Sequence, residues 1–412
     1  MAAQQGIRLG SSRGTALRNI IRLIPAVVVI AATLNTVSCT GNHTLFPQSN
    51  GGGGGSKSPT ATPTTGTGSL AFVTNFNDGM VSSFTRNPTS GALTLTNPQV
   101  KAGANHGPRG VVASPNGNFL YVANMKDDNI YEFSVNQTTG ALTKLATPSI
   151  SNGSGSGPDE LAINLAGTFL WVTGANKGTV TTYAINSKTG QLKQVSSKVT
   201  GLGSPFGIAV NSAGTIVYVA DHGAGLVDSF SVGSDGVLTK TGSVPNLGLP
   251  GGTPGFIAID PAGTFIYVTD LNAGVLSIIQ TNPLAASPTV PSNTTGNVPI
   301  GIGYATLSSG NFIYTANQGN SSLWSFLVTA PGNVSQPVEF GNGNLNAPTG
   351  LVVDPQNAFL YTTNQNAVGT VSQFSLSPTC STAPGPPCFV SNVATEHPAN
   401  TSSGPFGITL AR

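Results

Sequence analysis

The chain has 412 residues, more than one ordinary hydrophobic core organises, and only 7% of them are charged. Its 53 Gly and 29 Pro exclude long helices and favour many short strands separated by turns. The formal charge of +2 conceals a split, because Arg8, Arg13, Arg18 and Arg22 precede Cys39 while all 14 acids follow it. Subtracting those four from the 16 basic residues leaves 12 against 14 acids, a net of −2 for the body. Such a body offers no electrostatic attraction for nucleic acid or anionic lipid.

In chain order, residues 1–38 read as an export signal. An Arg-bearing start leads into the apolar stretch Leu23–Leu34, too short to span a bilayer and suited to a signal-peptide core. It ends in Thr36-Val37-Ser38-Cys39, small residues before a Cys, which resembles a bacterial lipobox with Thr36 where Leu is usual. The resemblance implies that Cys39 becomes the lipidated first residue of the mature protein; the plainer reading is a secretory signal with an incidental Cys. Residues 39–68 follow as a tether. Gly51–Gly55 and Ser58-Pro59-Thr60-Ala61-Thr62-Pro63-Thr64-Thr65 lack the apolar side chains that would offset ordering entropy.

From residue 69 to 412 the sequence repeats. The clearest unit is Gly107-Pro108-Arg109-Gly110-Val111-Val112-Ala113, then Ser114-Pro115-Asn116-Gly117, then Asn118-Phe119-Leu120-Tyr121-Val122-Ala123-Asn124. The aromatic of the second apolar run recurs at Phe72, Tyr121, Trp171, Tyr218, Tyr267, Tyr314 and Tyr361, a spacing of 47 to 50 residues. A period near fifty with short strands and Gly turns marks a propeller blade. Each unit reads as four strands, which in the unit above are Gly110–Ala113, Phe119–Ala123, Ile130–Val135 and a fourth from Ala141-Leu142 after the turn at Thr139-Gly140. The expectation is an all-β, seven-bladed β-propeller of four-stranded blades.

The seven aromatics and the seven blade-opening prolines (Pro108, Pro158, Pro205, Pro254, Pro299, Pro348 and Pro405) are offset. The chain begins its first blade at Leu70–Thr74, a second strand without a first. Phe406–Leu410 at the far end supplies the missing one and closes the ring. With no sheet edge left open, a monomer is expected. Just before that strand, Cys380 and Cys388 flank Ser381–Pro387; in an oxidising compartment a disulfide between them would contribute about 2–3 kcal/mol.

Tyr121-Val122-Ala123-Asn124, Thr139-Gly140-Ala141-Leu142 and Gly107-Pro108-Arg109 resemble the lactonase family of seven-bladed propellers. That family includes bacterial 6-phosphogluconolactonase and grades into surface propellers named for Tyr-Val-Thr-Asn repeats, to which Val73-Thr74-Asn75 is similar. The resemblance implies the fold more firmly than the activity. Lactonase-like members carry Gly-Pro-Arg-His at the blade opening and a Glu after the Tyr-Val-x-Asn element. Here Gly107-Pro108-Arg109 matches, Gly110 stands in place of the His, and Met125 follows Asn124.

The approaches to first strands and the turns after second strands emerge on one face, at the mouth of the central channel. That face gathers Arg109, Asp159 and Glu160, His106, and the turn residues Asp78, Asp127, Asp128, Asp221, His222 and Asp270, half of the 14 acids in the chain. Two readings follow. In the first, an exported, lipid-anchored propeller binds a small molecule or an envelope polymer or protein through Arg109, Asp159, Glu160, Asp221, His222 and Asp270. In the second it hydrolyses a lactone, with Arg109 holding the oxyanion and His106 or Glu160 acting as base. Against both stands a structural role: Asn75, Asn124, Asp221, Asp270, Asn317 and Asn364 occupy equivalent places, where such side chains cap turns. No zinc spacing and no phosphate-binding Gly loop is present, and no metal or cofactor is expected. Nucleic acid is not expected as a partner, and membrane contact is expected only through the anchor.

Overall fold

The computed structural model describes residues 69–96, 98–245, 252–286, 296–341, 345–365, 369–376, 389–396 and 404–411, with the side chains of 196, 197 and 389–396 excepted. The segments read from the sequence as export signal and tether, with Cys39, Cys380 and Cys388, lie outside them. The described chain is all β. Seven antiparallel sheets form the blades of a propeller, and in each the strand opened by a proline comes first in the sheet order.

Blade 2 is built from Pro108–Ala113, Phe119–Asn124, Asn129–Val135 and Leu142–Ser151. Blades 3, 4 and 5 open at Pro158–Ile163, Pro205–Val210 and Pro254–Ile259, and blades 6 and 7 at Pro299–Leu307 and Pro348–Val353. Blade 1 combines Leu70–Asn75, Met80–Arg86 and a fourth strand with the C-terminal strand Pro405–Ala411. That last strand pairs antiparallel with the first, Leu70 opposite Ala411 and Phe72 opposite Thr409. The ring therefore closes inside one sheet, as the offset of aromatics and prolines predicts. In blades 1 and 6 the fourth strand is divided, into Leu93–Leu95 with Val100–Lys101 and Asn333–Val334 with Val338–Phe340. Pro98 and Pro337 lie at the two breaks, where a residue without an N–H cannot donate to the ladder.

The recurring residues hold the blades to one another. All seven aromatics of the second strands are at most 1% exposed. In two seams the phenol also reaches the outer hairpin of the next blade: Tyr121 donates to the Gly190 carbonyl at 2.8 Å, and Tyr361 to that of Gly91 at 2.6 Å. The Tyr of one motif and the Gly of the other are thus two halves of one contact. Nearer the axis, the register between first and second strands slips just past the opening residue of every blade. In blades 1, 3 and 7 a threonine one place before the end of the second strand bridges the slip. Thr173 accepts the Glu160 N–H at 3.0 Å and donates to the Phe206 carbonyl of blade 4 at 3.0 Å. Thr74 does the same between Gly407 and Arg109, and Thr363 between Gly350 and Phe406. Replacing Thr173 with isosteric Val should cost about 1–3 kcal/mol in denaturant unfolding, because it strands a buried donor and a buried acceptor. An unchanged midpoint would show that the clasp contributes nothing.

Candidate functional site

One hydrogen bond fixes the channel mouth in all seven blades. The residue after the second strand donates its N–H to the carbonyl of the residue before an opening proline, as in Met125 to Gly107 at 3.0 Å, His222 to Ser204 at 3.1 Å and Phe76 to Gly404 at 3.2 Å. Ala175, Leu271, Gln318 and Gln365 repeat it. Proline suits the position that follows, since it has no N–H to leave unpaired. These seven residues form an outer ring over the seven that follow the opening prolines. Phe76, Met125, His222, Gln318 and Gln365 are half-buried, and the Gln318 amide donates to that of Gln365 at 2.6 Å.

The inner ring is closed. Arg109 is 1% exposed and its guanidinium meets the Asp159 carboxylate, itself fully buried, at 2.6 Å. The same guanidinium lies 5.3 Å from the Phe76 ring and 5.4 Å from that of Phe406. A cation held by a carboxylate and two aromatic rings is a joint between blades 1, 2 and 3. Glu160, 1% exposed, has a carboxylate oxygen 3.2 Å from the Leu161 N–H.

Gly110, where the family resemblance leads one to look for a His, is closely packed. A Cβ there would lie 2.5 Å from the Asp159 carbonyl of blade 3. Gly207 meets the Gly255 carbonyl in the same way, and Gly301 that of Thr349. The glycine lets one opening strand approach the next, and no side chain fits at 110 without moving blade 3.

The remaining acids close loops. Asp221 accepts from Gly203 N–H at 2.8 Å and Ser204 N–H at 2.9 Å. Asp270 accepts from Thr253 N–H at 2.8 Å and Ala273 N–H at 2.8 Å. Asp127 and Asp128 bind the backbone of residues 104–105 and of Gly155 and Gly157. Asp78 accepts from Met80 N–H at 3.0 Å, and burial raises its carboxyl above the ordinary value, with His106 pulling the other way. His106 is exposed on a turn with a φ of 61°. Among the described residues no group of three or more His, Cys, Asp or Glu could hold a metal ion.

His222 differs from these. Its ring stacks on Phe206 at 4.4 Å between centroids, and its Nδ1 has no hydrogen-bond partner. Burial pushes the imidazole below its ordinary pKa, against the opposing pull of the Pro254 carbonyl and of Asp270, Asp159 and Asp221. The sequence-selected Asp159, Asp221, His222 and Asp270 therefore share one electrostatic neighbourhood, and Arg109 joins it through Asp159. Phe76, Gln318 and Gln365 were not singled out. Following the position of Met125 round all seven repeats would have found them.

A model of the family described as "Lactonase, 7-bladed beta-propeller" matches residues 68–156, 102–206 and 146–295, overlapping spans that cover more than half of the chain. Among solved structures, a candidate 6-phosphogluconolactonase from Bacteroides fragilis superposes with a TM-score of 0.66 at 17% identity, over 85% of this chain and 100% of that one. A protein from Lactobacillus plantarum gives 0.65 at 18%, over 84% and 100%. The periplasmic gluconolactonase of Pseudomonas aeruginosa gives 0.62 at 16%, over 83% and 99%. No curated protein matches. At these identities the superpositions establish the fold.

Proposed function

The chain belongs to the lactonase family of seven-bladed β-propellers, and from that footing we propose that it is an exported, lipid-anchored member that binds a ligand at the channel mouth without turning it over. The observation that carries this reading is the closed state of Arg109. An oxyanion clamp must offer its donors to the substrate, whereas this guanidinium is 1% exposed and committed to Asp159. What the mouth presents is a half-buried outer ring with an aromatic, a paired set of amides and the imidazole of His222. Such a surface suits orientation and recognition. The Arg-bearing apolar start, Cys39 and the Gly/Ser/Thr/Pro tether support export and anchoring.

A lactone hydrolase is the second reading, favoured by the family match and by the carboxylates around His222. The full chain should hydrolyse 6-phosphogluconolactone no faster than buffer does. A missing general base alone typically costs about 10²–10⁴ in rate, enough to fall below spontaneous hydrolysis. Turnover that falls with Arg109→Ala would overturn the binding reading and promote the hydrolase. The anchor is tested separately: labelling with a fatty-acid analogue should disappear in Cys39→Ala, and persistent label would refute it.

A further inference from the structure

Two seams of the ring are built alike except for one atom's worth of chemistry. In blade 2 the third-strand residue opposite the aromatic Tyr121 is Glu132, and in blade 7 the residue opposite Tyr361 is Gln373. The other five blades place Ser, Thr or Ile there: Ser83, Thr182, Ser229, Ile278 and Ser325. Both long polar side chains grip the outer hairpin of the following blade, beside the Tyr that binds the hairpin Gly. Gln373 donates to the Ser90 carbonyl of blade 1 at 2.7 Å. Glu132 accepts from the Leu192 N–H of blade 3 at 2.9 Å and from the Gln191 side chain at 3.2 Å. One seam carries an amide that cannot titrate, and the other a carboxyl that can.

We propose that the seam between blades 2 and 3 is a proton-operated latch, in which Glu132 holds the hairpin Asn186–Gln191 while its carboxyl is protonated and lets it open more often once ionised. The geometry supplies the reason. Glu132 is 1% exposed and forms no salt bridge among the described residues. A buried carboxylate without a counter-ion is costly, and opening the hairpin returns it to water. The groups that face it are the Tyr121 phenol from its own sheet and the Tyr183 phenol from blade 3, both neutral and both pushed further up by burial. From the fourth strand of blade 2, Lys144 is exposed, with its ammonium over the Tyr131 ring at 5.9 Å, and Lys193 beside Leu192 is exposed. Burial raises the Glu132 carboxyl to about 7, with the Leu192 N–H pulling in the other direction.

The sign follows from proton counting. The closed seam holds a proton that the open seam loses, so opening becomes more favourable as pH rises from the ordinary Glu range, 4.5, to about 7, and levels off above. The test is amide hydrogen exchange of the full chain as a function of pH, corrected for intrinsic rates. Protection across Asn186–Leu192 should fall by about tenfold per pH unit between about pH 5 and pH 7 and then flatten. The sister hairpin Asn87–Ala92, held by Gln373, should show no such slope, and Glu132→Gln should flatten the first hairpin while leaving it protected at low pH. Equal slopes in the two hairpins, a slope that survives Glu132→Gln, or a pH-independent wild type would each overturn the latch.

Discussion

A chain truncated after Gly404 should have no cooperative melting transition. The deletion removes Phe406, Ile408 and Leu410, which are 0%, 2% and 7% exposed. At about 1.5–3 kcal/mol for each buried side chain, their loss alone approaches the whole stability of a typical domain, about 5–15 kcal/mol. It also strips the partner from Leu70–Asn75 and leaves a bare edge in the sheet that closes the ring. The indole of Trp171 is buried in the ring, so near-ultraviolet circular dichroism reports on packing as well as strand content. A truncated protein with the wild-type midpoint would sink the closure argument. Retained strand signal without near-ultraviolet bands would place the damage in packing.

Arg86→Leu should cost about 3–5 kcal/mol, the usual price of orphaning one partner of a buried ion pair. Arg86 meets Asp354 at 3.2 Å with both side chains fully buried, and its second arm donates to the Gln356 amide at 3.0 Å. The pair spans the interface between blades 1 and 7, next to the blade in which the ring closes. Asp354 has other work, accepting from Ala358 and Phe359 N–H at 2.6 and 2.7 Å to close its turn. Burial already raises its carboxyl above the ordinary value, and Arg86 is one of the groups that opposes the rise. Without Arg86 the carboxyl rises further, so the folded variant gains a proton that the unfolded chain gives up. Its deficit should therefore shrink as pH falls through the carboxylate range and be largest near neutrality. A deficit independent of pH would mean that lost packing, and not an uncompensated charge, is what the substitution costs.

The fold was legible because it is written seven times. Aromatics near every fiftieth residue and the offset between Phe72 and Pro405 suffice to place the blades and the closing strand. The sequence shows that Arg109 is the only Arg after an opening proline, but not that its neighbour across the seam is the Asp at the same place in the next repeat. Asp159 lies fifty residues along the chain, so composition presents one free cation where packing presents a pair. Read column by column, the residues after the opening prolines place Arg109 and Asp159 in adjacent repeats, but neither their contact nor their burial is written there. Gly110 was misleading in another way. Set against a family motif it looks like a lost catalytic side chain, whereas the carbonyl of Asp159 explains it as a point of close approach. Asp221 and Asp270 are open to two uses in the sequence, and in the folded chain both accept backbone N–H bonds that close their loops. Burial, which decides whether an ionisable group meets solvent, belongs to the ring as a whole and is not written in any single repeat.

The pairing of Leu70 with Ala411 has a bearing on how this molecule would be displayed. The strand that begins at Leu70 runs toward Asn75 and the mouth, and the strand opened by Pro405 runs away from it, so the chain enters and leaves at the rim farthest from Phe76 and His222. A leash attached ahead of Ser69 would therefore grip the propeller from behind. Whatever holds the chain on that side would leave the mouth, with Phe76 and His222, facing away from it.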